Sequence, residues 1–338
     1  MNFNNSRLYA LSNKKVLADI LGIDKKRLKN VIQEFVPYKL PPELSTVNGK
    51  QRDLYNPNDE HKRALRKLVR LLMQVEIPPY VYGGIKEKSH IQNASIHATG
   101  KYLMLIDIQN FFPSTSDSYV YDLFKNKFGM AKDIAKILTN FVTVPCENSD
   151  GRYLPQGYPT SPILSYLSYL DMYEELLYLA VENGMKFSCY YDDLTFSSDI
   201  FISKSLKRKC SQIIGKYHFK IHPTKSKLIM KKGVEVTGIF LDDLGEIKVP
   251  KKLLKKLQSS YEKVKEMGEN PSTYIKSDFV DELNRLQGLI AAVKSIEVNR
   301  KVDLYLNELK YIRKKYDVPY RKSSIHKHFK TESAKFIM

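Results

Sequence analysis

Lys186-Phe187-Ser188-Cys189-Tyr190-Tyr191-Asp192-Asp193-Leu194-Thr195-Phe196-Ser197-Ser198 sets two adjacent carboxylates between two short runs rich in Phe, Tyr, Leu and Thr. Runs of this kind read as strands, which places the acidic pair at the tip of a hairpin. Neighbours within a strand point to opposite faces, but in a tight turn both carboxylates can reach one site. Two anions held together are costly unless a cation or a proton offsets them. The pair alone suits a cyclase, a nuclease or a structural ion, and its economical reading is a divalent-metal site that needs further ligands.

Asp107 supplies a third carboxylate. It ends the apolar run Tyr102-Leu103-Met104-Leu105-Ile106, and a buried strand tolerates such an acid only at an exposed end or beside a cation. Taken alone, Asp107 reads equally as half of an ion pair with Arg or Lys. With Asp192 and Asp193 as companions it completes an oxygen-rich set that can hold two Mg²⁺ ions, their shells finished by phosphates and water. That chemistry is phosphoryl transfer.

The charge balance points to the same partner class. In 338 residues, 55 Lys and Arg face 37 Asp and Glu, a net charge of +18, which favours a polyanion. Residues 251–338 hold 20 basic and 11 acidic residues, so half of the net charge sits in the last quarter of the chain, and a phosphate-contacting surface is expected there. Cys146, Cys189 and Cys210 have no paired spacing and leave an odd thiol, as expected in a reducing compartment. No apolar run approaches a membrane span and the polar start has no signal-peptide core, so no membrane partner and a cytoplasmic location are expected.

Periodicity predicts helices over 14–21 and 25–35, a basic strand over 50–57, and a helix from a cap at Asp59 to about Met73. A strand follows at 102–108, then helices over 116–128 and 131–141 and a hairpin turn at 148–151. A helix over 159–181 precedes the acidic hairpin. Beyond it come a helix over 203–217, strands at 227–230 and 234–240, and helices over 251–267, 275–293 and 300–316. The mixed pattern turns helical near residue 248, and the last twenty residues are polar and basic, suited to disorder or to folding on RNA.

With these residues in place, the chain resembles a reverse transcriptase, and within that family those of bacterial retrons. Asp107-Ile108-Gln109-Asn110-Phe111-Phe112-Pro113-Ser114 matches the family's first catalytic motif. Tyr190-Tyr191-Asp192-Asp193-Leu194-Thr195-Phe196-Ser197 matches its YxDD motif, and Leu154-Pro155-Gln156-Gly157-Tyr158-Pro159-Thr160-Ser161-Pro162 the motif between them. Asn93-Ala94-Ser95-Ile96-His97 and Val236-Thr237-Gly238 resemble the retron elements NAxxH and VTG. The resemblance spans roughly residues 45–315, with the motifs in the family's order. The resemblance implies an α+β right-hand polymerase: an N-terminal extension with fingers over 1–100, a palm with an antiparallel sheet and packed helices over 101–247, and a helical thumb with a basic tail over 248–338.

It also implies roles. Asp107, Asp192, Asp193 and the backbone carbonyl of Ile108 hold two Mg²⁺ ions. Arg52, with Lys50 beside it, meets the triphosphate; Phe112 lies under the sugar, where a ring excludes a 2′-hydroxyl. Gln156 and Gly157 approach the templating pair, and Lys225 stands near the leaving pyrophosphate. Tyr190 and Tyr191 shape the hairpin at the primer end. Tyr158, Tyr191 and His222 depart from the residues usual at their positions. Asn93 and His97 read either as contacts to RNA or as a structural hydrogen-bonding pair beneath the palm. Val236, Thr237 and Gly238 fall to recognition of a structured RNA, although Gly238 reads equally as a tight strand contact. Lys251, Lys252, Lys255 and Lys256 grip the duplex backbone.

The expected activity is RNA-templated DNA synthesis from deoxynucleoside triphosphates on a cognate noncoding RNA. Priming from a guanosine 2′-hydroxyl gives branched multicopy single-stranded DNA, within an anti-phage system that pairs the enzyme with an effector protein. Template removal falls to a host ribonuclease H. The rivals are a group II intron or diversity-generating reverse transcriptase, and a catalytically idle RNA-binding scaffold that sequesters an effector.

Overall fold

The computed structural model describes residues 1–47, 49–147, 150–230, 233–270 and 274–320, with the side chains of Val47 and Lys50 outside that set. The turn residues Asn148 and Ser149 and the tail from Arg321 onward also lie outside it. The chain divides into two compact units, Met1–Lys231 and Lys232–Met338. The change to an all-helical pattern near residue 248 falls inside the second.

The first unit is organised on a four-stranded antiparallel sheet, in the order Lys186–Tyr190, Asp193–Ser198, Tyr102–Asp107, Lys227–Met230. Pleating sorts its side chains. Met104, Ile106, Phe187, Cys189, Leu194 and Phe196 share one face and join the main apolar core, with the rings of Phe187 and Phe196 4.7 Å apart. The opposite face carries Ser188, Thr195 and Ser197, and ends at Asp107 and Asp193. The alternation that buries one face therefore delivers the acids to the other.

Helices close the apolar face. Lys14–Leu21, Asp59–Leu72, Lys132–Val142 and Lys204–Lys216 match their sequence periodicity to within two residues. The cap of the second is Asn58, whose side chain accepts the His61 N–H, while Asp59 and Glu60 sit in the first turn. Both acids fit the positive end of the helix, but the extended backbone before it selects Asn58 as the cap.

Three predicted helices are interrupted. Residues 25–35 break at Asn30, residues 116–128 pass into a π turn at Leu123–Lys127, and residues 159–181 divide into Ser161–Leu167 and Leu170–Glu182. The last break coincides with burial of the Tyr169 ring, 4.5 Å from both Tyr119 and Phe219. The expected strand over 50–57 is shorter: Lys50–Gln51 pairs with Thr46–Val47, after which Leu54 and Tyr55 make isolated bridges to Gln156 and Lys39.

The second unit pairs a three-stranded sheet, ordered Ile247–Lys248, Ile239–Leu241, Val234–Val236, with helices Lys251–Glu269, Lys276–Ile296 and Asp303–Lys315. Leu257, Val264, Leu283, Leu286, Ile290 and Leu309 form its separate core. The single strand expected over 234–240 is a hairpin. Thr237 (φ 46°) and Gly238 (φ 80°) form its two-residue loop, the backbone pattern of a type I′ turn, which favours Gly at the second position.

Candidate active site

Asp107 and Asp193 stand directly opposite each other in the sheet, which directs both carboxylates to one face. Asp192 belongs to the two-residue loop closed by the Tyr190–Asp193 pair. The Ile108 N–H donates to the Asp192 carbonyl at 2.9 Å, and the His222 N–H donates to the Asp107 carbonyl at 2.7 Å. Ser226 Oγ accepts the Asp107 N–H at 3.2 Å. Residues 222–226 thus hold both the N–H and the carbonyl of Asp107, while Ile108 holds the carbonyl of Asp192.

The electrostatics are unbalanced towards negative charge. Lys225 Nζ sits 2.7 Å from Asp107 Oδ2. Burial, with the charge of Asp107, holds the Asp192 carboxyl above the usual carboxylate range, against the pull of Lys225 and Arg52. Burial, then Asp192 and Asp107, pushes Asp193 up to about 7. Among the described residues no three His, Cys, Asp or Glu groups converge into a finished metal cage. The donor set still fits Mg²⁺, which binds through one or two carboxylates and completes its shell with waters and substrate phosphates; a divalent charge offsets what raises both pKa values.

A cavity of about 820 Å³ opens over these acids. Arg52, Asp107, Ile108, Phe112, Gln156, Gly157, Tyr191, Asp192 and Lys225 all line it, so nine of the residues singled out from sequence meet in one place, while Asp193, Tyr190 and the expected RNA-contacting residues do not line it. Gln156 Oε1 is buried with no hydrogen-bond partner among the described residues, which costs about 1–3 kcal/mol unless a ligand donates to it. Gly157 answers first to the protein. At φ 106° any Cβ it carried would collide with the Tyr55 carbonyl oxygen, so the close backbone approach that requires glycine is to Tyr55. Tyr158 is a core ring, 5.1 Å from His61. Lys50 lies on the neighbouring short strand.

Tyr191 has φ 58°, at the first loop position, where a II′ hairpin usually has glycine. Its ring stacks edgewise on Tyr190 at 4.9 Å and lies 6.4 Å from Phe112. Gly83 and Gly84 make room for it: a Cβ on Gly83 would come within 2.5 Å of the Tyr191 nitrogen. Neither this glycine pair nor Ser226 is apparent from motif spacing, because both act through the fold.

The RNA-contact reading of Asn93 and His97 is corrected by burial: both are 0% exposed. His97 Nδ1 lies 2.7 Å from Ser197 Oγ and Nε2 2.8 Å from Ser188 Oγ. The imidazole therefore ties together the two strands of the acidic hairpin, on the same face as the aspartates. Burial and the nearby charge of Lys186 depress its pKa to about 3, so it is neutral, with one nitrogen donating and the other accepting. Val236 is also buried, leaving Thr237 and Gly238 at the loop. Lys251, Lys252, Lys255 and Lys256 are all exposed on their helix.

An antiparallel sheet with Asp107 and Asp192 lining an open cavity and Asp193 paired opposite Asp107, flanked by cationic and amide side chains, is the palm of a template-directed polymerase. The family model for reverse transcriptase (RNA-dependent DNA polymerase) matches residues 47–241, and the chain belongs to that family. It is similar to the Retron Se72 reverse transcriptase of Salmonella heidelberg, 26% identical over 67% of this chain and 60% of that protein. It is likewise similar to the Retron Mx162 enzyme of Myxococcus xanthus (24%; 75% and 59%) and the Retron Ec86 enzyme of Escherichia coli (27%; 56% and 55%). The chain thus spans somewhat over half the length of these relatives. A structure of Candida albicans telomerase with a fragment of telomeric RNA aligns at a TM-score of 0.43 and 10% identity, over 85% of this chain and 67% of that one.

Proposed function

We propose that this chain is a retron-type reverse transcriptase that copies a structured noncoding RNA into DNA. The observation that carries the proposal is the meeting of Asp107, Asp192, Phe112 and the unpartnered Gln156 amide oxygen in one cavity, with Asp193 held opposite Asp107. A primer hydroxyl oxygen attacks the α-phosphorus of a deoxynucleoside triphosphate, a new P–O bond forms, and the bond to pyrophosphate breaks. Two Mg²⁺ ions bound by the three aspartates and the Ile108 carbonyl would supply charge neutralisation and activation of the hydroxyl. Arg52 and Lys50 orient the triphosphate. Phe112 closes the space that a 2′-hydroxyl needs, and Gln156 reads the nascent pair. Lys225 Nζ, already paired to Asp107, can hand a proton to the departing pyrophosphate oxygen.

The finer reading follows the retron relatives. The template is a cognate RNA, the first nucleotide joins a guanosine 2′-hydroxyl, and the product is branched multicopy single-stranded DNA. A host ribonuclease H trims the template, an effector protein partners the complex in anti-phage defence, and the work is cytoplasmic. Among the described residues no helix is long and apolar enough to cross a membrane. Co-expression with the RNA encoded beside the gene, followed by labelled deoxynucleotide incorporation, tests this: the label should remain attached to RNA until a debranching enzyme releases it. Product that separates from RNA on denaturation alone would refute 2′ priming.

A further inference from the structure

Residues 200–234 contain ten Lys and Arg and no Asp or Glu. This +10 segment lies outside the C-terminal region expected to carry the phosphate-contacting surface. Two of its cations are already paired, Lys216 with Glu175 and Lys225 with Asp107. The remainder includes a cluster built by secondary structure. Lys204, Lys207, Arg208 and Ser211 recur at i, i+3, i+4 and i+7 on the Lys204–Lys216 helix, so they share one face. Cys210 and Ile214 on the same helix are buried and fix its orientation.

That polar face and the Lys227–Met230 strand border a cleft of about 540 Å³. Among the described residues the strand is the edge of the sheet, paired on one side only, which leaves a row of its backbone groups without strand partners there. Lys207 Nζ donates to the Ser226 carbonyl at 2.6 Å, pinning helix to strand. Lys204, Arg208 and Lys227 bring further positive charge to the cleft, and no carboxylate is among the residues that line it. Such a cluster of like charges is disfavoured until a polyanion joins it.

We propose that this cleft is a second nucleic-acid site, which holds sugar-phosphate backbone of the structured RNA outside the catalytic cavity. The RNA identity rests on the reverse-transcriptase reading; the charge and shape do not. Densely spaced phosphates match an acid-free cationic cleft better than the sparser carboxylates of a protein, and Ser211 adds a neutral donor beside the cations. Ser226 borders the cleft and also accepts the Asp107 N–H, so RNA bound here lies one residue from the catalytic backbone.

The test compares Lys204→Glu/Arg208→Glu with Lys15→Glu/Lys26→Glu, an equal charge change at exposed positions of the N-terminal helices. The probe is the RNA encoded beside the gene, titrated across salt concentrations. The cleft pair should bind at least about tenfold more weakly and lose roughly 1.5–2 from the slope of log K against log salt, for two phosphate contacts removed. Extension of a short poly(rA)/oligo(dT) primer-template should stay near wild type for both pairs. If the cleft pair melts early, Lys204→Gln/Arg208→Gln replaces it and should show a similar loss in slope, since the same two phosphate contacts are removed, with a smaller loss of affinity. Equal losses from both pairs would reduce the effect to net charge and overturn the proposal. Unchanged RNA binding would overturn it too, leaving an acidic protein as the alternative occupant. Failure of the polymerase reading is separate, since it would show as no wild-type extension on any template.

Discussion

Asp193→Asn should abolish polymerisation and yet stabilise the metal-free protein. Asp193 faces Asp107 across the sheet, and burial and neighbouring carboxylates raise its pKa from 3.8 to about 7. A rise of that size corresponds to a ceiling of about 4 kcal/mol, and local relaxation leaves roughly half of it, about 2 kcal/mol. The folded pKa is raised, so between about pH 4 and pH 7 the folded state holds a proton that the unfolded state has lost. Wild-type stability therefore falls as pH rises through that window and levels off above it. Asparagine removes the titration. By pH 8 the variant should melt higher by roughly 4–8 °C, with the gain vanishing near pH 4. Thermal melts in chelator from pH 4 to 8 measure it, and added Mg²⁺ should raise the wild-type transition more than the variant's. A variant that melts at or below wild type at pH 8 would refute the claim that the acids are held together at a cost.

His97→Leu leaves the hydroxyls of Ser188 and Ser197 buried without their imidazole, and should lower stability by about 2–4 kcal/mol in denaturant melts. Gln at the same position should recover part of that loss. Gly157→Ala forces a side chain against the Tyr55 carbonyl at an unfavourable φ and should cost at least about 1–3 kcal/mol, with the KM for deoxynucleotides raised as Gln156 shifts. Phe112→Ala opens the space beneath the sugar. The ratio of ribonucleotide to deoxynucleotide incorporation should rise at least about tenfold in single-nucleotide extension assays.

The catalytic centre was legible because strand alternation fixes where an acid at the end of an apolar run must point. Asp107, Asp192 and Asp193 needed no long-range information beyond the pairing of two strands, and Arg52, Phe112 and Gln156 join the first two at one cavity. The supports were not legible. His97 stands about a hundred residues from the serine it binds on the far strand of the hairpin, so its sequence neighbours say nothing of its burial. Thr237-Gly238 read as strand residues because a type I′ loop interrupts the apolar run without a proline or a polar cluster. Tyr191 gains the room for its ring from Gly83 and Gly84, which the fold brings against it from a distant part of the chain. Asn30 and Tyr169 break helices whose periodicity continues past the break, since tertiary packing outweighs a weak local preference. The acid-free segment over 200–234 was visible in the sequence, but only the helix phase and the sheet edge turn its charges into a cleft.

The most direct test is incorporation of labelled deoxynucleotides on an RNA template with Mg²⁺, comparing the wild-type chain with Asp192→Asn. Wild type should synthesise robustly and the variant should lose at least about a thousandfold, with folding intact by melting. Equal incorporation by the two proteins would contradict the polymerase reading.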